Sequence, residues 1–203
     1  MRLYYRAQTG RPLRVAWELE ELGVDYETVK LTPEQCQNAE HLSRQPLGRV
    51  PAVEFDDGEI LFDSTAVVLA IADRHPDSGL IGPLGSPQRN QVYAWAVTAM
   101  TELEPAAIGA MFAEGVSDEY KSSQNGRVAA SAEAIGRQLA DKPFLLGDTL
   151  TAADIIVGGV VALFQSLGGL DDAPDNVTAY TKMLGERPAF AAAVQRVEPI
   201  GLQ

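Results

Sequence analysis

The sequence is poor in the residues that build several common kinds of site. It has one cysteine, Cys36, and two histidines, His41 and His75, among 203 residues. A single cysteine excludes a disulfide framework and any metal or iron–sulfur site held by several cysteines, and it is typical of a reducing compartment. The histidines show no HExxH or histidine–cysteine spacing, and the chain has no GxGxxG or phosphate-loop motif. We therefore expect no metal.

Basic charge and long apolar runs are also scarce. The chain has 16 Lys and Arg against 28 Asp and Glu, a net charge of −12, which argues against nucleic acid and anionic membranes as partners. The apolar run 155–164 is too short to span a membrane and predicts a buried core helix. No basic segment followed by an apolar one opens the sequence, so we expect no signal peptide and a cytoplasmic location.

The charge that is present is unevenly spread. Residues 1–50 carry seven basic and seven acidic side chains, so the whole acidic excess falls in the remainder. This distribution is either chance or the mark of an anion that binds the N-terminal part. The length fits one large domain or two small ones.

The order of predicted elements divides the chain in two. The first 75 residues or so alternate short strands and helices in the order β-α-β-α-β-β-α, with strands predicted at 3–5, 25–31, 51–55 and 59–62. Six glycines and prolines between Pro76 and Pro87 have the composition of a linker. Only helical patterns follow, among them 88–113, where Pro105 should introduce a kink, 124–139, and a helix that begins at a Thr151–Asp154 capping box. We predict an α/β domain over 1–78, a linker over 79–85 and an all-α domain over 86–203.

Four segments, in this order and spacing, resemble the cytosolic-type glutathione S-transferase family. They are the first strand and helix around 3–27, the segment QPLGRVPAV at 45–53, which is similar to the family's NPLGKVPAL, the segment DSTAV at 63–67, which is similar to its ES-x-AI, and the segment from Phe144 to Ile155, which is similar to its FLAGD…S-x-AD. The resemblance covers nearly the whole chain. It implies a thioredoxin-like N-terminal domain and an all-helical C-terminal domain. It also implies glutathione as co-substrate, and a homodimer with the first helices of the helical domain at its interface.

The resemblance leaves two candidates for the hydroxyl that stabilises the glutathione thiolate. Thr9 matches the position of the active hydroxyl in serine-type members, and Tyr5 matches the tyrosine of tyrosine-type members. The alternatives are a local backbone bond for Thr9 and a core position for Tyr5. Arg11 or Pro12 stands where other members carry Ser or Cys, which argues against a cysteine-type mechanism.

The same resemblance implies how the tripeptide is held. Arg49 and Arg11 would meet the glycyl carboxylate, and Val50, before a cis bond to Pro51, would pair with the cysteinyl unit. Asp63 and Ser64, at a helix N-terminus, would hold the γ-glutamyl end. The alternatives are exposed loop arginines and simple N-capping by Asp63.

The function expected from the resemblance is a detoxifying transferase that conjugates glutathione to a small hydrophobic electrophile in a pocket between the domains. Candidate lining residues, which at helical spacing can equally be core, are Tyr93, Trp95, Met100, Met111 and Phe112. The alternatives on the same fold are a specialised glutathione-dependent isomerase, peroxidase or disulfide reductase, or a non-catalytic glutathione-binding scaffold. The sequence identifies neither the electrophile nor the class of transferase.

Overall fold

Four short strands build a mixed sheet in the first part of the chain. In the computed structural model, which describes residues 1–170 and 172–202, the strands are β1 (Arg2–Tyr5), β2 (Glu27–Lys30), β3 (Ala52–Glu54) and β4 (Ile60–Phe62). Their order is β2-β1-β3-β4, with β1 parallel to β2 and antiparallel to β3, and β3 antiparallel to β4. The central strand β1 is buried after its first residue, whereas β4 lies at an edge and is largely exposed.

Four helices accompany this sheet: α1 (Arg11–Leu22), α2 (Pro33–Cys36), α3 (Ala39–Arg44) and α4 (Ser64–Arg74). The single helix predicted between the second and third strands is two short ones. The backbone leaves helical geometry at Gln37 and Asn38, and the Asn38 side chain accepts the His41 N–H at 2.7 Å, which begins a new helix. A 3₁₀ turn at Pro76–Ser78 follows α4.

The last helix, α10 (Pro188–Val197), packs against α1. Phe190 meets the Trp17 ring edge-on at 5.1 Å between centroids, and the Arg187 guanidinium donates to both Glu21 carboxylate oxygens at 2.5 and 2.7 Å. One compact unit therefore consists of Met1–Ser78 and the C-terminal segment that begins at Glu186. The sequence pattern predicted that this segment belongs to the helical domain. Its contacts with α1 join residues about 170 positions apart, and such contacts leave no signal in the local sequence pattern.

The second compact unit, Gly79–Gly185, is built of helices joined by loops, and one loop of its described part carries an isolated β-bridge between Phe144 and Gly147. Its helices are α5 (Pro87–Thr98), α6 (Glu104–Phe112), α7 (Asp118–Leu139), α8 (Ala152–Ser166) and α9 (Asp175–Gly185), with a π-helical segment, Ala99–Leu103, between α5 and α6. The break expected at Pro105 takes the form of that π segment, because proline has no N–H to continue the preceding ladder. Helix α7 begins earlier than predicted, at a Ser117 cap that accepts the Tyr120 N–H.

Helix α8 is the buried centre of this unit. All of its residues from Ala152 to Phe164 are buried. The Asp154 side chain accepts the backbone N–H of Thr151 at 2.8 Å, as the capping-box pattern predicts. None of the helices in the described ranges is long and apolar enough to cross a membrane.

Candidate functional site

Three segments that carry the predicted site residues meet at one end of the sheet. Tyr4, next to the carboxyl end of β1, pairs with Ala52 at the start of β3, and Ala52 pairs in turn with Phe62 at the end of β4. The chain therefore leaves β1, enters β3 and leaves β4 at the same end. The β1–α1 loop, the segment 49–51 and the start of α4 emerge there side by side.

A buried side-chain bond joins two of these segments. The Arg14 guanidinium in α1 lies 3.3 Å from the Ser64 hydroxyl oxygen at the first position of α4, and both residues are only 1% exposed. Because guanidinium nitrogens only donate, Ser64 is the acceptor and keeps its own hydroxyl proton for another partner. Arg14 was not among the predicted site residues. Sequence patterns assign arginines to the exposed face of a helix, so the buried position of Arg14 in α1 was not predicted.

The two hydroxyl candidates have different surroundings. The Thr9 hydroxyl, in the β1–α1 loop, lies 2.6 Å from the Arg6 carbonyl and donates to it. Tyr5 is 5% exposed, and its hydroxyl donates to the Glu198 carboxylate at 3.3 Å. Burial, with a smaller contribution from the Glu198 charge, raises the pKa of Tyr5. The Tyr5 hydroxyl proton is thus already hydrogen-bonded to a carboxylate.

Glu198 connects this end of the sheet to the C-terminal segment. Its carboxylate accepts from the Lys30 ammonium at 2.8 and 2.9 Å, and its backbone carbonyl accepts the Gln8 N–H at 2.8 Å. The hydrogen bond from Lys30 lowers the pKa of Glu198, so the side chain is charged at neutral pH. The loop that carries Thr9 is therefore fixed by a residue 190 positions away, which the sequence pattern could not reveal.

The segment before β3 is held by its own neighbours. The Val50–Pro51 bond is cis, as the resemblance implied. Arg49 has an exposed side chain, while its backbone N–H donates to the Gln45 side-chain oxygen at 2.9 Å and its carbonyl lies 2.7 Å from the His41 Nε2. His41 and Gln45 are both buried. Neither was predicted to take part in a site.

The start of α4 shows that Asp63 does cap the helix. Its carboxylate accepts the N–H groups of Thr65 at 3.0 Å and Ala66 at 3.3 Å, and its backbone has φ of 69°. Both capping bonds use the same carboxylate oxygen, Oδ1. Capping by Asp63 is therefore compatible with an additional interaction through its other oxygen. The side chain is exposed.

The start of α1 differs, because its N-cap residue is Gly10, which has no side chain to cap the first turn. Arg11 is the first helical residue and is partly exposed. The positive end of this helix dipole therefore lies directly beside Thr9, where it favours an anion.

Other chemistries find little support in the described residues. They contain no group of three or more His, Cys, Asp or Glu side chains that could hold a metal ion. Cys36 is buried, and burial raises the pKa of its thiol, which disfavours the reactive thiolate.

The helical unit has a cavity of its own. Its volume is about 280 Å³, and it is lined mainly by small and apolar side chains of α5, α7, α8 and the π segment. Of the five predicted lining residues, Trp95 contributes to it. The ion pair between Arg127 and Glu102, 2.8 Å long, contributes the charged part of the wall.

Comparison with known families shows which family the chain belongs to. Residues 1–73 match the glutathione S-transferase N-terminal domain, and residues 96–182 match the glutathione S-transferase C-terminal domain. The chain belongs to the glutathione S-transferase family. The fold class predicted from the resemblance, a thioredoxin-like domain and a helical domain, is confirmed.

Individual relatives are similar over most of their length. The chain is 27% identical to glutathione S-transferase GstA of Escherichia coli O157:H7, over 87% of this chain and 89% of the relative. It is 25% identical to maleylacetoacetate isomerase of Pseudomonas aeruginosa, over 97% and 95% of the two chains. Among solved structures, a sphingomonad glutathione S-transferase complexed with glutathione superposes with a TM-score of 0.82, at 29% identity and over 96% and 98% of the chains.

Proposed function

We propose that this protein is a glutathione transferase, which conjugates the thiolate of glutathione to a small apolar electrophile. The observation that carries the proposal is the meeting of the β1–α1 loop, the segment 49–51 and the start of α4 at one end of the sheet. The glutathione complex of a relative with the same fold supports it. We also propose that it acts in detoxification in the cytoplasm.

The proposed binding residues divide the tripeptide among the three segments. Arg49 and Arg11 hold the glycyl carboxylate, since guanidinium groups bind carboxylates with charge-assisted hydrogen bonds. Val50, next to Pro51, pairs with the cysteinyl unit through its backbone. Asp63 meets the γ-glutamyl ammonium. The Ser64 hydroxyl, which keeps a proton to donate, meets the γ-glutamyl carboxylate at the helix N-terminus.

Thr9 is the proposed sulfur contact. A free thiol with a pKa near 8.5 is only a few per cent ionised at pH 7, so the enzyme has to stabilise the thiolate. Thr9 lies beside the start of α1, which has no side-chain cap. The positive end of the helix dipole there also stabilises a thiolate. Tyr5 is the weaker candidate because its proton already binds Glu198. Glutathione binding would redirect the Thr9 hydroxyl from the Arg6 carbonyl to the sulfur.

The test combines binding with turnover. The wild type should be retained on immobilised glutathione and should conjugate a standard aromatic halide. Thr9→Ala should still bind glutathione but lose about tenfold in activity at pH 7, since loss of one hydrogen bond to the thiolate raises the thiol pKa by about one unit. The pH–rate profile should move to higher pH by the same amount, and Thr9→Ser should restore the wild-type profile.

Two outcomes would contradict this assignment at different levels. Failure of the wild type to bind glutathione would refute the transferase proposal. Full activity in Thr9→Ala would remove only the role of Thr9, and a large loss in Tyr5→Phe would then transfer that role to Tyr5.

The similarity to maleylacetoacetate isomerase supports a second candidate, a glutathione-dependent isomerisation. An isomerisation consumes no glutathione, whereas conjugation consumes one thiol per product. Thiol titration during turnover of maleylacetoacetate therefore separates the two reactions.

We also propose a homodimer, in which the first helices of the helical unit form the interface. Helix α5 exposes Tyr93 at 37% and Val97 at 59%, two apolar side chains one turn apart on the same face of the helix, which a partner chain would cover. Light scattering should give twice the chain mass of 21.8 kDa. Val97→Glu should shift that mass toward one chain.

A further inference from the structure

Three side chains from the α2–α3 region hold the backbone that leads into the cis proline. We call Gln37, His41 and Gln45 the loop clamp. Gln37 donates to the Gly48 carbonyl at 3.2 Å. Gln45 accepts the N–H groups of Leu47 at 2.7 Å and Arg49 at 2.9 Å, and His41 Nε2 lies 2.7 Å from the Arg49 carbonyl.

The fit of the clamp explains the glycine at position 48. Gly48 has φ of +61°, and a Cβ added there would lie 2.3 Å from Gln37 Nε2 and 2.9 Å from the Cys36 carbonyl oxygen. No other residue fits without displacing Gln37. The clamp and the segment it holds are thus built together.

The His41 ring forms a hydrogen bond with the Arg49 carbonyl. Because a carbonyl oxygen only accepts, Nε2 carries the ring proton, and His41 is the donor. Its Nδ1 is buried and has no hydrogen-bond partner among the residues that the structure describes. The residue is 1% exposed, and its ring lies 6.4 Å from that of Tyr4 in β1. The ring is therefore fixed against the sheet, with its donor on the Arg49 carbonyl.

That bond sets the direction of the next N–H. The Arg49 carbonyl and the Val50 N–H belong to one peptide group, and among the residues described the cis peptide bond is Val50–Pro51, so this one is trans. In a planar trans peptide the C=O and N–H point in opposite directions. With the carbonyl held toward His41, the Val50 N–H points away from the clamp.

We propose that His41 is a positioning residue for glutathione, which aims the Val50 N–H at the cysteinyl unit by holding the Arg49 carbonyl. The inference rests on the proposed glutathione site and adds to it a residue that does not touch the ligand. Gln45 accepts the N–H of Arg49, so both peptide groups of Arg49 are fixed while its guanidinium remains exposed.

The test removes the donor and then restores it. His41→Phe keeps a ring but has no N–H, whereas His41→Gln carries an amide nitrogen at about the distance of Nε2 from the backbone. His75→Phe is the matched control, because His75 Nδ1 lies 2.8 Å from the Ile71 carbonyl and makes an equivalent bond at the end of α4. Glutathione dissociation constants are measured by titration calorimetry, and KM and kcat by the conjugation assay.

We expect His41→Phe to weaken glutathione binding about five- to tenfold, as the loss of one buried hydrogen-bond donor implies. KM for glutathione should rise by the same factor, while kcat at saturating glutathione stays within about twofold, since the sulfur contact is intact. His41→Gln should bind within about twofold of the wild type, and His75→Phe should bind as the wild type does. A general loss of folded protein would lower kcat and leave the dissociation constant unchanged.

Several results would overturn the inference, and they are distinguishable from failure of the transferase proposal. Wild-type protein that does not bind glutathione refutes both. Wild-type binding with equal binding by His41→Phe, or with no recovery in His41→Gln, refutes the positioning role alone. If His41→Phe does not fold, His41→Gln is compared with His41→Asn, whose side chain is shorter. Equal affinities of the two variants for glutathione overturn the inference, and weaker glutathione binding by His41→Asn supports it.

Discussion

Glu18 is the most unusual single residue in the first unit. It lies in the middle of α1, is 0% exposed, and neither carboxylate oxygen has a hydrogen-bond partner among the described residues. Burial raises the pKa of this carboxyl well above its usual range, because a buried carboxylate is disfavoured relative to the neutral acid.

The pH dependence of stability follows from that shift. In the unfolded chain the group ionises near its ordinary value of 4.5. Above that pH the unfolded state loses a proton that the folded state keeps, so this contribution is fully present below pH 4.5 and is lost as pH rises toward the folded-state pKa. The slope is up to about 1.4 kcal/mol of unfolding free energy per pH unit.

Glu18→Gln should remove this dependence. Urea unfolding of the wild type and the variant should give similar free energies at pH 4.5 and an advantage for the variant that grows between pH 5 and pH 8. The exposed Glu133→Gln serves as the control, with little expected effect at any pH. A difference between Glu18→Gln and wild type that does not change with pH would show that Glu18 is ionised in the folded protein.

At the scale of the element, the start of α8 depends on one carboxylate. Asp154 is 0% exposed and accepts four hydrogen bonds. Its Oδ2 takes the N–H and hydroxyl of Thr151 at 2.8 Å each, and its Oδ1 takes the Leu145 N–H at 2.8 Å and the Tyr180 hydroxyl at 3.0 Å. One side chain thus caps α8 and joins it to the preceding loop and to α9.

Asp154→Ala should cost at least about 3 kcal/mol, because it leaves several buried donors without an acceptor. Urea unfolding monitored by circular dichroism measures the loss. Thr151→Val removes only one of the four donors and should cost about 1 kcal/mol. Equal effects of the two variants would show that Asp154 acts only through Thr151.

The elements also show what local patterns can predict. The helices α1, α4 and α8 follow from the sequence pattern, with Asp63 and Thr151 at helix starts, because those signals act within a few residues. The division of the region after Thr32 into α2 and α3 and the π segment were not predicted. Backbone breaks of this kind depend on how neighbouring side chains compete for a few N–H groups.

At the scale of the whole molecule, the net charge of −12 opposes the approach of an anion such as glutathione. The proposed binding arginines counter that charge locally, since the first fifty residues are neutral overall. Removing one positive charge from either of two arginines makes the net charge of the protein more negative by the same amount. A larger loss at one arginine than at another therefore reports direct contact.

Arg49→Gln should weaken glutathione binding roughly tenfold or more, as expected for a charged hydrogen bond, whereas Arg196→Gln should change it by less than about twofold. Arg196 is a fitting control because it belongs to the same unit, is half exposed, and contacts Glu20 at 3.3 Å and the Tyr26 ring. Titration calorimetry at low and moderate salt measures both. Equal losses in the two variants would mean that Arg49 acts only through the general charge.

The sequence by itself determined the family, the alternation of strands and helices in the first part of the chain and the candidate residues from Tyr5 to Ser64, because family motifs and periodicity are properties of neighbouring positions. The tertiary structure alone decided which of them stand together and what holds them. Strand register brought three separate segments to one end of the sheet. The C-terminal helix joined the first unit, and Glu198, Arg14 and His41 came to lie beside the proposed site. Such contacts form between residues that are distant along the chain. They depend on hydrogen-bond geometry and burial in the folded protein, which the pattern of neighbouring residues does not encode.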